Sequence, residues 1–307
     1  MAASDNRSYY MKLSSYVVAL RPWSFSCSLA PVLLGCVLAF KSTGMFNLAI
    51  LLISCVTALS VHAAGNLVNT YFDYVKGIDS KKSDDRTLVD SIITKDEVVG
   101  LASILYCVGC AGFVALVILS PAKMEHLALV YFGGLSSSFL YTGGAALKYI
   151  ALGDLIIMTI FGPVTVIFAY MAQTGTVSTA AAFYALPAAL SVEAVLHSNN
   201  TRDMEADRVA GIVTLAIILG PALSKLLYGV LLFTPYVMVA VCAIKHSVWF
   251  ALPLFTMPAA FRNERELRAG MYASMPRKTA KLNLFFNLLF VASVLCCSVE
   301  KLPFIGS

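Results

Sequence analysis

Acidic residues number only 17 in a chain of 307, so the two places where they gather with asparagine carry most of its chemical information. The first is His62-Ala-Ala-Gly-Asn66-Leu-Val-Asn69-Thr-Tyr-Phe-Asp73-Tyr-Val-Lys76-Gly77-Ile-Asp79. Positions 62, 66, 69 and 73 are spaced 4, 3 and 4 apart, which puts them on one helical stripe. Gly77 is placed to end that helix and to turn Asp79 back toward Asp73. The second is His197-Ser-Asn199-Asn200-Thr-Arg202-Asp203-Met-Glu205-Ala-Asp207-Arg208, in which Asn199, Asp203 and Asp207 share a face at one-turn spacing.

Stacking carboxylates one turn apart costs energy unless a cation lies between them. Hard oxygen donors of this kind suit Mg²⁺, which takes one or two carboxylates and completes its shell with water and substrate phosphate oxygens. With Arg21, Lys76, Lys148, Arg202 and Arg208 nearby in sequence, the two stripes make a candidate diphosphate cradle. Either stripe alone could be a solvated helix end. Both together, in a chain this poor in charge, point to a site.

The elements that position these residues are read from composition. Hydrophobic residues make up 59% of the chain and charged residues 13%, against soluble norms of roughly 45–50% and 25%. That much apolar surface exceeds what a soluble domain of this length hides, which excludes a soluble enzyme, a disordered scaffold and a free nucleic-acid binder. Apolar runs of spanning length fall at 24–41, 46–69, 98–119, 126–144, 150–171, 178–200, 211–233, 234–260 and 281–298. The 234–260 run holds Pro235, Pro253 and Pro258 and reads as one kinked helix or two short ones. Eight or ten spans are the alternatives to nine.

With nine spans, Lys and Arg alternate between loops, 17 on one side and 3 on the other. The basic side carries the N-terminus and is expected to face the cytosol, so the net charge of +5 reports orientation rather than nucleic acid. Both Asn/Asp stripes close spans, the second and the sixth, and this topology puts them on that same face. Residues 1–20 read as a cytosolic segment and 21–307 as one membrane domain, the first apolar run being a retained span rather than a cleaved leader. The eight cysteines lie almost entirely in spans and read as small packing residues, Cys107-x-x-Cys110 included. Most of Tyr71, Phe72, Tyr74, Tyr141, Phe161, Phe168 and Tyr170 read as packing or interface aromatics, with a few wanted in a cavity to face a carbocation. Asp154, near a helix start, reads as a cap. Glu193 and His197 are one turn apart within a span, a candidate functional pair or a satisfied structural one. Lys225 and Lys245 read as snorkelling or packed.

The pattern Asn69-x-x-x-Asp73-x-x-x-x-x-Asp79 with Asn199-x-x-x-Asp203-x-x-x-Asp207 resembles the two Asp-rich motifs of the UbiA superfamily of intramembrane prenyltransferases. The resemblance runs from Leu20-Arg-Pro-Trp-Ser-Phe25 to Thr279-Ala-Lys-Leu-Asn283. It is most specific at Gly65-Asn-Leu-Val-Asn-Thr-Tyr71, Lys81-Lys-Ser-Asp-Asp-Arg-Thr-Leu-Val-Asp90 and His197-Ser-Asn-Asn-Thr-Arg-Asp203, which resemble the animal menaquinone-forming branch. The superfamily's usual first motif separates its two Asp by four residues; here Asp73 and Asp79 are six apart, which fits that branch.

The resemblance implies an all-α integral membrane protein, about nine transmembrane helices in a UbiA-type bundle with a central cavity open to the cytosolic side. It implies that Asp73, Asp79, Asp203 and Asp207 are catalytic and hold Mg²⁺, with Asn66, Asn69, Asn199, Arg21, Lys148 and Tyr141 around the substrate diphosphate. The implied reaction moves a prenyl group, geranylgeranyl, from its diphosphate to a quinol, menadiol, giving menaquinone-4 (vitamin K2). Endoplasmic reticulum and Golgi membranes are the implied location, with a mitochondrial membrane as the alternative. A sterol-regulated association with hydroxymethylglutaryl-CoA reductase is also implied.

Other readings stay open at this level: a ubiquinone-type acceptor, a secondary transporter, an enzyme joining a nucleotide-activated headgroup to a lipid alcohol, or a sterol-responsive regulator without catalysis. Transporters place coupling acids nearer the bilayer midplane than these helix ends. The base that takes the ring proton is a carboxylate of either stripe or Glu193.

Overall fold

A computed structural model describes residues 16–78, 87–143 and 147–305. It is a helical bundle. After a 3₁₀ turn at Pro22–Ser24 come α1 (Ser26–Thr43), α2 (Leu48–Val75), α3 (Lys95–Leu119) and α4 (Met124–Thr142). The fifth leg is α5 (Gly153–Thr159), a π turn at Ile160–Val164 around Gly162 and Pro163, and α6 (Thr165–Thr174). Then follow α7 (Thr179–Val209), α8 (Leu215–Lys245), a 3₁₀ stretch Val248–Thr256 leading into α9 (Met257–Arg268), and α10 (Met275–Cys296).

Nine legs are thus traced among the described residues. Seven helical segments are long and apolar enough to cross a membrane; α4 and the leg ending in α9 do not meet that measure. The outer surface carries large apolar side chains, with Ile118, Leu129, Ile244 and Phe255 each at least 75% exposed, which suits a lipid-facing wall. Inside, Tyr184, Tyr228, Phe250 and Phe286 are buried, and amides and hydroxyls join helices where water cannot. Asn283 Nδ2 donates to Ser26 Oγ at 3.1 Å, and Asn287 Nδ2 to Ser191 Oγ at 3.0 Å. All eight cysteines are free.

One expected boundary is wrong. The runs 211–233 and 234–260 do not divide at Pro235, because α8 continues unbroken through it. The distortion in α8 lies instead at Gly220, with φ 72° and ψ 171°, beside Pro221. The next leg's helix starts where Pro258 occupies its first turn, a position that needs no amide hydrogen. The N-terminal segment also reaches into the bundle: Ala19 is buried with Leu67 and Val98, and the Tyr16 hydroxyl donates to Glu97 at 3.0 Å.

Both helices that carry the stripes end alike. At the end of α2 the chain passes through Gly77 at φ 73°, and Ile78 N–H donates to the Asp73 carbonyl at 2.8 Å. At the end of α7 it passes through Gly211 at φ 74°, and Ile212 N–H donates to the Asp207 carbonyl at 2.9 Å. This is the left-handed glycine termination that absorbs orphan carbonyls, and Gly77 ends its helix as the sequence predicts. Just beyond, Val213 joins the connector from α4 to α5: Ala151 N–H donates to the Val213 carbonyl (2.7 Å), and Val213 N–H to the Tyr149 carbonyl (3.1 Å). The segment bearing Lys148 and Tyr149 is thereby stitched to the end of α7.

Candidate active site

That stitch sets the geometry. Lys148 reaches from beside the α7 terminus to the α2 stripe, donating to Asp73 Oδ2 at 2.7 Å and Asn69 Oδ1 at 2.9 Å. Asn69 Nδ2 donates to the same Asp73 oxygen at 2.9 Å, Thr142 to Asn69 Oδ1 at 3.1 Å, and the Tyr149 hydroxyl to Asp73 Oδ1 at 2.7 Å. Across the site, α7 repeats the pattern. Asn199 Nδ2 donates to Asp203 Oδ2 at 3.2 Å, and Arg202 donates to Asp203 (2.7 Å) and to Asn199 Oδ1 (2.8 Å). In each stripe an Asn and the Asp one turn later point their oxygens at one cation. The second stripe continues a further turn to Asp207, which is buried and within electrostatic reach of Lys148, Asp203, Asp73 and Arg202.

A cavity opens from this polar end into the bundle. Arg21, Asn66, Asn69, Lys148, Asn199 and Asn200 line one end, and Val61, Val130, Leu135, Phe161, Val164 and Phe168 line the rest. On α2 the lining runs from Asn69 back to Thr57, twelve residues or about 18 Å of helix. The shape is that of an amphiphile with an anionic head and an apolar tail.

Most of the predicted site residues meet here. Asn69, Asp73, Asn199, Asp203, Asp207, Lys148 and Arg21 surround the polar end; Tyr141 lines the cavity within reach of Asp154, Asp73 and Arg21. Asn66 also lines it, but its amide donates to the Leu20 carbonyl (2.9 Å) and Ser24 Oγ (3.3 Å), so it fastens α2 to the N-terminal turn. Asp79 lies outside the described residues. Of the aromatics considered, Tyr141, Phe161 and Phe168 line the cavity; Tyr71, Phe72, Tyr74 and Tyr170 do not.

Sequence reasoning missed Tyr149 and Thr142, whose only signal was adjacency to Lys148 and to the end of α4. It also left His62 out of the site. That ring lines the cavity, held by Ser28 and by Ser24 (3.2 Å to Nε2), and packs on Phe161 with centroids 4.7 Å apart. Asp154 does not cap its helix: no side chain caps α5, and Asp154 turns inward to His197.

The donor set fits Mg²⁺. Asn69 Oδ1 with Asp73 Oδ2, and Asn199 Oδ1 with Asp203 Oδ2, are paired hard oxygens already converging on a positive group. Asp207 adds a buried carboxylate within electrostatic reach of both Asp73 and Asp203.

Comparison with known proteins agrees with this architecture. Residues 28–292 match the UbiA prenyltransferase family. The UbiA prenyltransferase domain-containing protein 1 homolog of Drosophila melanogaster is 57% identical over 300 residues, covering 97% of this chain and 83% of that one. The apo structure of a UbiA homolog from Aeropyrum pernix K1 superposes with a TM-score of 0.65 at 15% identity, over 87% of this chain and 96% of that one. A UbiA homolog from Archaeoglobus fulgidus, solved bound to DMAPP and Mg²⁺, gives 0.59 at 16% identity, over 91% and 99%. The chain belongs to the UbiA prenyltransferase family, a multi-pass integral membrane enzyme of that prenyl-transferring class.

Proposed function

We propose that this enzyme transfers a geranylgeranyl group from its diphosphate to the ring of menadiol, giving menaquinone-4. The observation that carries the reading is the meeting of two matched Asn/Asp stripes and their cations at the polar end of one cavity with apolar walls. The Archaeoglobus fulgidus homolog, bound to a prenyl diphosphate and Mg²⁺, supports the head-and-tail assignment. The menadiol acceptor and the tail length rest on the motif resemblance to the menaquinone-forming branch.

Asp73, Asp203 and Asp207, with Asp79, hold Mg²⁺, which supplies Lewis-acid neutralisation of the diphosphate. Lys148, Arg202 and Arg21 donate to the diphosphate oxygens as charge builds on them, the main electrostatic task in this reaction. The allylic C–O bond breaks and its electron pair leaves with the diphosphate. The faces of Phe161, Phe168 and Tyr141 stabilise the cationic carbon, and the apolar cavity keeps water from it. A ring carbon of the quinol then forms the new C–C bond, and its proton passes to a carboxylate of the stripes, since Glu193, the other candidate, does not line the cavity. We place the protein in endoplasmic reticulum and Golgi membranes, in sterol-regulated association with hydroxymethylglutaryl-CoA reductase, again on the resemblance.

The test is incubation of purified protein with Mg²⁺, a panel of prenyl diphosphates of graded length and a panel of quinols, with products identified by mass spectrometry. Menaquinone-4 as the main product is expected. Preference for another aromatic acceptor would reassign the substrate, and no prenylated product from any pair would overturn the reading.

A further inference from the structure

Behind the cavity wall, three ionisable side chains meet that the transfer site does not require: Asp154 on the first turn of α5, and Glu193 and His197 on α7. They are 7%, 4% and 0% exposed, and one donor atom from each lies within 4.8 Å of the others. None of the three lines the cavity, although their neighbours Ile156, Ile157, Val192 and Leu196 do.

The hydrogen bonds fix which atoms face the cluster. His197 Nε2 lies 3.0 Å from the Ser224 carbonyl, which can only accept, so Nε2 carries the proton. The nearby hydroxyls are consistent: Thr201 donates to the His197 carbonyl at 2.7 Å, leaving its oxygen to accept from Ser224 Oγ at 2.8 Å. In the neutral imidazole Nδ1 is then a lone pair, and it faces Asp154 Oδ1 at 3.5 Å. Asn200 donates to the other Asp154 oxygen at 3.4 Å. Four atoms remain buried without a hydrogen-bond partner: Asp154 Oδ1, both Glu193 oxygens and His197 Nδ1. With the imidazole neutral and both carboxylates ionised, all four are acceptors. Burying them face to face, two of them belonging to one carboxylate, is costly unless something positive lies among them.

We propose that this cluster binds one divalent first-row transition ion, such as Zn²⁺, Mn²⁺ or Fe²⁺, at a site separate from the Mg²⁺ and diphosphate. An imidazole nitrogen with carboxylate oxygens selects such an ion over magnesium. Two ligands at about 2.1 Å from one tetrahedral ion lie about 3.4 Å apart, close to the Asp154–His197 separation. The Nε2–H bond to a backbone carbonyl is the outer contact that orients ligating histidines. Two carboxylates also balance the ion's charge where lipid and protein surround it. Because its three ligands do not line the cavity, the ion has a structural part: it ties the start of α5 to α7 and so fixes the wall that Val192 and Ile157 present to the tail. The inference does not depend on which prenyl group or acceptor is used.

Metal analysis tests it. Protein purified into buffer with Mg²⁺ as its only added metal should retain about one equivalent of transition ion per chain. Glu193→Gln and His197→Gln should abolish it, whereas Asp203→Asn should not. Should those variants fail to fold, stripping the wild type with o-phenanthroline should lower its melting temperature in detergent, and Zn²⁺ or Mn²⁺ should restore it. A wild type without transition metal, its melting temperature indifferent to the chelator, overturns the proposal and leaves a proton shared by Asp154 and Glu193. Loss of the ion in Asp203→Asn overturns it too, by assigning the metal to the stripes.

Discussion

Asp73 is buried yet accepts from Lys148, Asn69 and Tyr149, so it is a carboxylate held ready rather than one exposed to solvent. In the proposed reaction its charge is what counts. Asp73→Asn keeps the shape and should lower kcat/KM by about 10²-fold or more, with an unchanged gel-filtration profile in detergent. Tyr149→Phe removes one charge-assisted hydrogen bond of about 1.5–3 kcal/mol and should cost roughly 10–100-fold, less than Asp73→Asn under the same assay. At this scale the sequence was informative about composition and poor about pairing. Periodicity placed Asn69 and Asp73 on one face. It could not place Lys148 against Asp73, 75 residues away, because helical spacing says nothing about which helices meet. Asp154 misled for the same reason: position near a helix start suggested a cap, and only the packing of α5 against α7 turned it toward His197.

Helix boundaries show what local chemistry does and does not specify. Thr94 and Glu97 form a reciprocal capping box at the start of α3, with Glu97 N–H donating to Thr94 Oγ1 at 3.2 Å and Thr94 N–H to Glu97 at 2.8 Å. Thr94→Ala should cost about 1 kcal/mol, read as a lower melting temperature with catalysis largely kept. The matched glycine ends of α2 and α7 are equally local, and Gly77 was legible as one. Pro235 was not a boundary, since neighbouring helices in a bundle can accommodate a proline's missing hydrogen bond. The two stripes align in two registers. Their hydrogen bonds match Asn69–Asp73 with Asn199–Asp203, while their glycine ends match Asp73 with Asp207. The α7 stripe is therefore one turn longer, and that extra turn supplies the third carboxylate.

Across the whole molecule, composition and hydropathy were enough to predict a helical membrane bundle of about nine legs, and loop charges to put its Asn/Asp clusters on one membrane face. A cavity was expected from the family resemblance, but its lining was not readable, since it comes from the N-terminal turn, α1, α2, α4, α5, α6, α7 and the connector that carries Lys148. Because that cavity joins two distant stripes, substrate binding should need both of them together with the divalent ion. EDTA should stop turnover and added Mg²⁺ should restore it, in an assay of product formation by purified protein.

The most direct measurement is the equilibrium affinity of geranylgeranyl diphosphate, with and without Mg²⁺, for the wild type, Asp73→Asn and Asp203→Asn. Each variant should bind at least about 10-fold more weakly in Mg²⁺, and each should lose most of the gain that Mg²⁺ gives the wild type. Wild-type affinity and Mg²⁺ dependence in either variant would contradict a diphosphate shared between α2 and α7.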